Sequence, residues 1–246
     1  MNQISIDINA DVGEGIGNET ELLPLISSCN IACGGHAGTQ ASMTAVVKLA
    51  KQHRVKIGAH PSFPDTKNFG RSIVEMSNTA LFTSIKGQIK SLMTVIRNEH
   101  AAMHHVKPHG ALYNLAAIDT NTAEVIVEVM KSIALPLELY VPYGSVIAKL
   151  AIKENIPIMY EAFADRNYND DLTLVSRKKD NAIISDSESV FRHVHRIIKR
   201  QKVKSISGGE VFIEATTFCI HGDNPKALIL ARELRKRLTA SGIKIQ

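Results

Sequence analysis

The sequence predicts an α/β fold: a single seven-stranded parallel (β/α) barrel spanning residues 1–246. Three observations carry this reading. Apolar runs of strand length alternate with segments of helical periodicity, the order expected of successive βαβ units and a parallel sheet. Ionisable residues recur at the C-terminal ends of the strand-like runs, where a closed parallel barrel gathers its loops into one mouth. The 246 residues contain no linker rich in Pro, Gly or Ser, and one α/β barrel commonly fills that length.

The first strand alternates Ile4, Ile6 and Ile8 with Asp7, Asn9 and Asp11. On a barrel strand the isoleucines pack against outer helices and the polar set faces the mouth. Gly13, Gly15 and Gly17 bracket Glu14 on a backbone free to approach a ligand, so Asp11 and Glu14 stand together at the exit. Their spacing does not fit a dinucleotide fingerprint. Residues 30–33 lead to His36 and residues 55–59 to His60, with Met43, Val46, Val47 and Ala50 marking a helix between them. One histidine ending an apolar run is more often a satisfied core residue than a ligand, and recurrence at successive exits favours the ligand. Residues 61–71 form a long loop, either a lid or a plain connection.

Residues 79–98 carry a helical stripe of Leu81, Ile85, Ile89, Leu92 and Ile96. In the fourth strand His105, Lys107 and His109 share one face, with Val106 and Pro108 on the other, before Gly110 turns the chain. A helix over 123–133 and a strand over 137–141 precede Pro142, Gly144 and Ser145. The sixth strand, 156–164, brings Glu161 and Asp165 to its exit beside Arg166, which could equally form a local pair with Asp165. Residues 167–181 make a second excursion over the mouth, 189–200 a helix and 216–220 the seventh strand, ending in His221 and Asp223. Asn224 and Pro225 read as N-cap and first turn of a closing helix lined by Leu228, Ala231, Leu234 and Leu238, which stops at Gly242.

Composition narrows the partners. With 44% hydrophobic and 22% charged residues the chain can bury a substantial core. The +5 charge collects in basic runs at 199–204 and 232–237, both read as helix faces or exits. Without tryptophan or a recognisable module these argue against nucleic acid; an anionic substrate or an acidic partner fits instead. No apolar run reaches membrane-spanning length, and the opening residues lack the basic and apolar regions of a leader, which implies a cytoplasmic protein. Cys29, Cys33 and Cys219 cannot all pair and lack zinc-ribbon spacing, so reduced buried thiols are expected. Convergence of Asp11, His36 and His60 on one mouth suits a divalent metal such as Zn, Mn or Mg.

Six strings, at 9–15, 30–34, 58–61, 105–114, 163–166 and 221–223, closely resemble in order the LamB/YcsF family, identified as the A component of bacterial 5-oxoprolinase. The resemblance runs from about Ile4 to the C-terminus. It implies a barrel related to the glycoside hydrolase/deacetylase superfamily and ATP-dependent opening of 5-oxoproline to glutamate with subunits B and C. Gly35, Ser176 and residues 172–174 depart from the family's usual aromatic, proline and Gly-Ser-Leu, in loops over the mouth rather than in the ionisable set.

Opening a stable lactam requires an activated carbonyl and a protonated leaving nitrogen. Under this reading Asp11 activates water, aided by a metal on Asp11, His36 and His60, with Glu14 a further catalytic carboxylate; Lys107 stabilises the oxyanion and His109 donates the proton. Asn9, Glu161, Asp165, Arg166, His221 and Asp223 contact the substrate, whose carboxylate could alternatively pair with Lys107 or Arg166. No Gly-x-x-x-x-Gly-Lys-[Ser/Thr] loop occurs, so ATP, the co-substrate, is expected to be handled with partner subunits. The competing readings are a metal-dependent carbohydrate or amide deacetylase, working without ATP or partners, and a non-catalytic interaction subunit. Whether the chain forms a homo-oligomer stays open.

Overall fold

Strand β1, Ser5–Val12, is the hinge of the topology because it pairs on both edges. It lies parallel to β2 (Ser28–Ala32) on one side and to β9 (Thr217–Ile220) on the other, with Asn9 opposite Ser28 and Cys219. Between those two, β3 (Lys56–His60), β4 (Met103–Val106), β5 (Glu138–Pro142) and β6 (Ile158–Phe163) complete a closed, all-parallel ring of seven strands. This computed structural model describes residues 3–246; Met1 and Asn2, part of the stretch read as lacking a leader, lie outside them. No helix among the described residues is long and apolar enough to cross a membrane.

Helices α2 (Gln40–His53), α3 (Asn78–Asn98), α5 (Thr120–Lys131), α6 (Val146–Lys153), α7 (Ser187–Arg200) and α8 (Ala227–Ala240) form the outer layer. Short α1 (Glu19–Leu22) and α4 (Gly110–Ala116) fill the first and fourth connections. The α3 stripe Leu81, Ile85, Ile89, Leu92 and Ile96 is buried, as its period predicts, and Ile6 and Ile8 are buried with it in the apolar core. Starts are set by side chains: Thr39 and Ser42 form a capping box on α2, while Ser77, Ser145 and Asp186 accept from first-turn amides of α3, α6 and α7.

Two local expectations give way. The basic run at 199–204 is not one helix face: Gln201 takes a left-handed conformation, φ 51°, that ends α7. The chain then forms a hairpin of β7 (Lys202–Lys204) with β8 (Glu210–Phe212), burying Val203 between exposed lysines. Asn224 does not cap α8, whose first turn lacks a side-chain cap; its Oδ1 accepts from the Lys226 amide just before the helix, at 3.0 Å, while its Nδ2 donates to Asp165 Oδ2, also at 3.0 Å. A last strand, β10 (Lys244–Ile245), pairs with the start of β1. All three cysteines are free and buried.

Barrels of this type usually fill with branched apolar side chains. This one fills with polar residues in layers. Asp7 accepts from Ser28 Oγ at 2.7 Å and Thr217 Oγ1 at 2.6 Å. One layer up, Asn9 donates to Glu161 at 2.8 Å and Asn30 donates to Asn9 and Asp11, both at 2.8 Å. His105 donates to Asn30 Oδ1 at 2.7 Å and stacks on Tyr140 at 4.0 Å. Every hydrogen bond of the network joins two different strands, so satisfying its donors also fixes the register of the ring.

Gly58 gives His105 its space: a Cβ there would lie 2.1 Å from Nε2. Gly58→Ala should therefore cost roughly 1–3 kcal/mol of stability by overpacking. Gly87 is exposed in the middle of α3, and a methyl group added there would meet open space. It should behave oppositely, Gly87→Ala gaining about 0.5–1 kcal/mol. Urea midpoints of the two variants check both signs.

Burial pushes His105 well below the ordinary imidazole range and His193 down to about 4, although His193 Nε2 bonds the Phe163 carbonyl. Both are neutral in the folded chain, while in the unfolded chain they titrate at about 6.5. As pH falls from about 6.5 toward 4 the unfolded state takes up protons the native state refuses, so stability present above that range is lost. Metal-free protein should show falling urea midpoints at pH 7, 5.5 and 4.5; equal midpoints would contradict the assignment.

Candidate active site at the barrel mouth

The C-terminal ends of the ring open into a cavity of about 740 Å³. Its floor is the Lys107 ammonium, 2% exposed, at 3.0 Å from Asp11 Oδ1, 2.9 Å from Glu161 Oε1 and 3.0 Å from Cys219 Sγ. Asn9 Oδ1, at 3.3 Å, supports it from below. Burial opposes the charge on Lys107, but Asp11, the Cys219 sulfur and Glu161 outweigh it and hold the pKa well above the lysine range. Burial likewise opposes the Asp11 carboxylate, yet His60 and Lys107 keep it ionised, well below the usual range. A buried pair of this kind persists because each partner would be costly alone.

Beside the floor, Glu14, His36, His60 and His109 bring ligand atoms within 4.8 Å of one another. Glu14 Oε1 is 2.9 Å from His36 Nε2, 3.5 Å from His109 Nδ1 and 4.0 Å from His60 Nε2. The ring orientations follow from backbone carbonyls, which only accept. His60 Nδ1 must donate to the Lys107 carbonyl at 2.7 Å, and His109 Nε2 to the Phe69 carbonyl at 2.9 Å. His60 Nε2 and His109 Nδ1 then face each other at 2.9 Å, two lone pairs if both rings are neutral. That confrontation is relieved by a proton or by a cation bound to both. Burial and the neighbouring imidazoles hold His109 well below the ordinary range, which disfavours placing that proton on His109. Three imidazoles and a carboxylate, with the second nitrogens of His60 and His109 anchored on backbone oxygens, make a donor set that could hold a divalent metal ion.

The loop after β3 closes this cluster. Phe69 and Gly70 both take positive φ, 56° and 64°, and a Cβ on Gly70 would lie 2.9 Å from His109 Cδ2 and from His36 Cβ. Only glycine leaves room for the two stacked imidazoles, whose centroids are 3.7 Å apart. Residues 61–71 are thus more than a surface connection: the segment reaches the mouth, and its Phe69 carbonyl orients His109.

The remaining expected residues divide. Glu161, His221, Arg166 and Asp223 line the cavity together with Asp11, Glu14, His60, Lys107 and His109. Asn9, 0% exposed, lies under Lys107, and Asp165 stays behind the wall, 2.8 Å from His221 Nδ1. Asp11 is turned to Lys107, Asn30 and, at 3.4 Å, His60 Nε2, so the atoms nearest His36 come from Glu14. Arg166 does not pair with Asp165: its Nη2 donates to the Val175 carbonyl at 2.6 Å and its Nε to that of Ala182 at 3.3 Å. Asp223 instead bridges Arg71 and Arg177. Sequence reasoning missed Arg71, Arg177 and Tyr113. Arg71 and Arg177 stand in aperiodic loops with no spacing to mark them, whereas Tyr113, inside the 105–114 string, has a buried hydroxyl with no partner among the described residues.

Comparison with known proteins follows the same outline. The LamB/YcsF family model matches residues 6–246. The 5-oxoprolinase A component of Bacillus mycoides (strain KBAB4) is 40% identical over 98% of this chain and 97% of its own, and that of Bacillus cereus (strain B4264) is 40% identical over 98% of both. The crystal structure of a lactam utilization protein from Thermus thermophilus superposes with a TM-score of 0.92 at 37% identity, covering 99% of each chain. At 12% identity and TM-score 0.51, the peptidoglycan deacetylase PdaC of Bacillus subtilis shares the fold alone. With the family pattern running through residues 6–246 and relatives at 40% identity along nearly the whole length, the chain belongs to the LamB/YcsF family.

Proposed function

We propose that this barrel mouth opens the lactam of 5-oxoproline to glutamate, in an ATP-dependent reaction carried out with partner subunits B and C. The observation that carries the reading is the Lys107 ammonium held between Asp11 and Glu161 at the floor of a cavity, next to the Glu14, His36, His60 and His109 cluster. Relatives named for 5-oxoprolinase and for lactam utilisation support the substrate.

The residues divide the labour as follows. Water attacks the ring carbonyl carbon while ionised Asp11 takes its proton, and the new C–O bond forms. The C–N bond then breaks with its electron pair passing to nitrogen, and Asp11 returns the proton there. Lys107 lowers the cost of negative charge on the carbonyl oxygen. Its hydrogens already bond Asp11, Glu161 and Cys219, so it acts as a fixed charge needing little reorganisation. His109 has its Nε2 hydrogen committed to Phe69, so its free lone pair suits a ligand in place of the proton donor expected from sequence. Glu14, His36, His60 and His109 would hold a divalent metal, which polarises a carbonyl and acidifies water when bound. ATP supplies the drive by passing its γ-phosphoryl group to the amide oxygen, with ADP as the leaving group. Attack of water and rupture of the C–N bond then give a glutamyl phosphate, which a second water hydrolyses to glutamate and phosphate.

Glutamate release from 5-oxoproline tests the proposal directly. The chain with subunits B and C and ATP should produce it, and the chain alone should not. His109→Ala in the complete mixture should lower turnover by about ten- to a hundredfold, the scale on which loss of a metal ligand or its support acts. ATP-independent deacetylation of an N-acetyl sugar by the single chain would replace this reading with the deacetylase one.

Calorimetric titration with Zn²⁺ or Mn²⁺ checks the donor set separately. Chelator-treated protein should bind one of these ions, and Glu14→Gln or His60→Ala should weaken binding at least about tenfold, the scale on which losing a ligand or its support acts. Unchanged affinity in both variants would remove these residues from any metal site.

A further inference from the structure

We propose that the lip of the mouth, built by Arg71, Arg166 and Arg177 around Asp223, is a binding site for a phosphoryl dianion. The inference rests on the lactam-opening reading only for the molecule that carries the group, and deepens it by naming the anionic chemistry the site takes.

The cavity's charges are segregated. Its floor carries Asp11, Glu14 and Glu161 against the single cation Lys107 and suits a cation. Its lip reverses the balance: Arg71, Arg166, Arg177 and Lys178 face only Asp171 and Asp223. The excess of two positive charges over this group matches a dianion, while a carboxylate would leave it unbalanced.

Arg166 is the anchor. It is 5% exposed, and no carboxylate oxygen among the described residues approaches within ion-pair distance of it. Its bonds to the Val175 and Ala182 carbonyls set its plane without neutralising it. Burial and the adjacent Arg177 push its pKa down to about 10, against the weaker opposing pull of Asp165 and Asp223, neither of which reaches ion-pair distance. An unpaired buried charge is costly, and an anionic ligand removes that cost. Guanidinium groups also present donors in the fork geometry that phosphoryl oxygens accept.

Asp223 occupies the place an anion would compete for. Its carboxylate bridges Arg71 and Arg177, the latter at 3.3 Å, so it ties the loop after β3 to the loop after β6. A phosphoryl group arriving between the arginines would take over that role, joining the same two loops over the floor.

The test is calorimetric titration of the full chain with inorganic phosphate, with acetate as the carboxylate probe. Phosphate should bind saturably and at least tenfold more tightly than acetate. Arg177→Gln and Arg71→Gln, both on loop side chains, should each weaken phosphate tenfold or more, with folding verified by circular dichroism. Asp223→Asn, which removes the competing carboxylate, should tighten it. Absence of saturable phosphate binding, affinity indifferent to all three substitutions, or acetate binding as tight as phosphate would overturn the proposal. The titration needs neither ATP nor partner subunits: phosphate binding without any glutamate formation by the complete mixture would leave the lip assigned and sink the lactam reading alone.

Discussion

A lysine ammonium inside a β-barrel is the constraint from which the rest of this structure follows. Placing Lys107 at 2% exposure would be prohibitive without compensation, and two carboxylates at 3.0 and 2.9 Å provide it. Those carboxylates need partners of their own. Asn30 and His60 approach Asp11, Asn9 donates to Glu161, and Thr217 and Ser28 continue the network down to Asp7. The polar interior is therefore a chain of obligations descending from one charge. Apolar packing is displaced to the outside of the ring, where Ile6 and Ile8 join the core cluster with the helices.

The same constraint separates chemistry from scaffold. With Lys107 and Asp11 fixed from below, the groups above them can be positioned by loops: Glu14 by the glycine-rich turn after β1, His36 by the turn after β2, and His109 by the Phe69 carbonyl. Rigid floor and loop-built wall are the usual division in barrels of this topology. Here the wall also sorts charge, gathering imidazoles and a carboxylate on one side and guanidinium groups on the lip.

Much of this was legible in the sequence because strands alternate. The pattern Asp7, Asn9, Asp11 against Ile6 and Ile8 states which face is interior, and His105 with Lys107 states it again for β4. The ring of seven strands and its exits follow from that periodicity. Pairings between exits were not legible. Whether His36 meets Asp11 or Glu14 depends on the geometry of a glycine-rich turn, and the orientation of His109 depends on a backbone carbonyl that no side-chain pattern encodes. The β7–β8 hairpin was hidden because its lysines extend the basic run of α7, and the turn at Gln201 requires a left-handed residue that is not glycine. Asn224 looked like a cap because caps are local, but its Oδ1 closes on the Lys226 amide one residue short of the helix while its Nδ2 is held by Asp165, distant in sequence.

The central claim is that Lys107 is a permanent cation held by Asp11 and Glu161. ¹⁵N NMR of lysine-labelled protein reads its Nζ directly through a pH titration. The account predicts a resonance that keeps its ammonium shift beyond pH 10.5, after the exposed lysines have begun to titrate. A Lys107 signal that converts to the neutral amine near or below about pH 8 would contradict it, because burial would then have overcome both carboxylates.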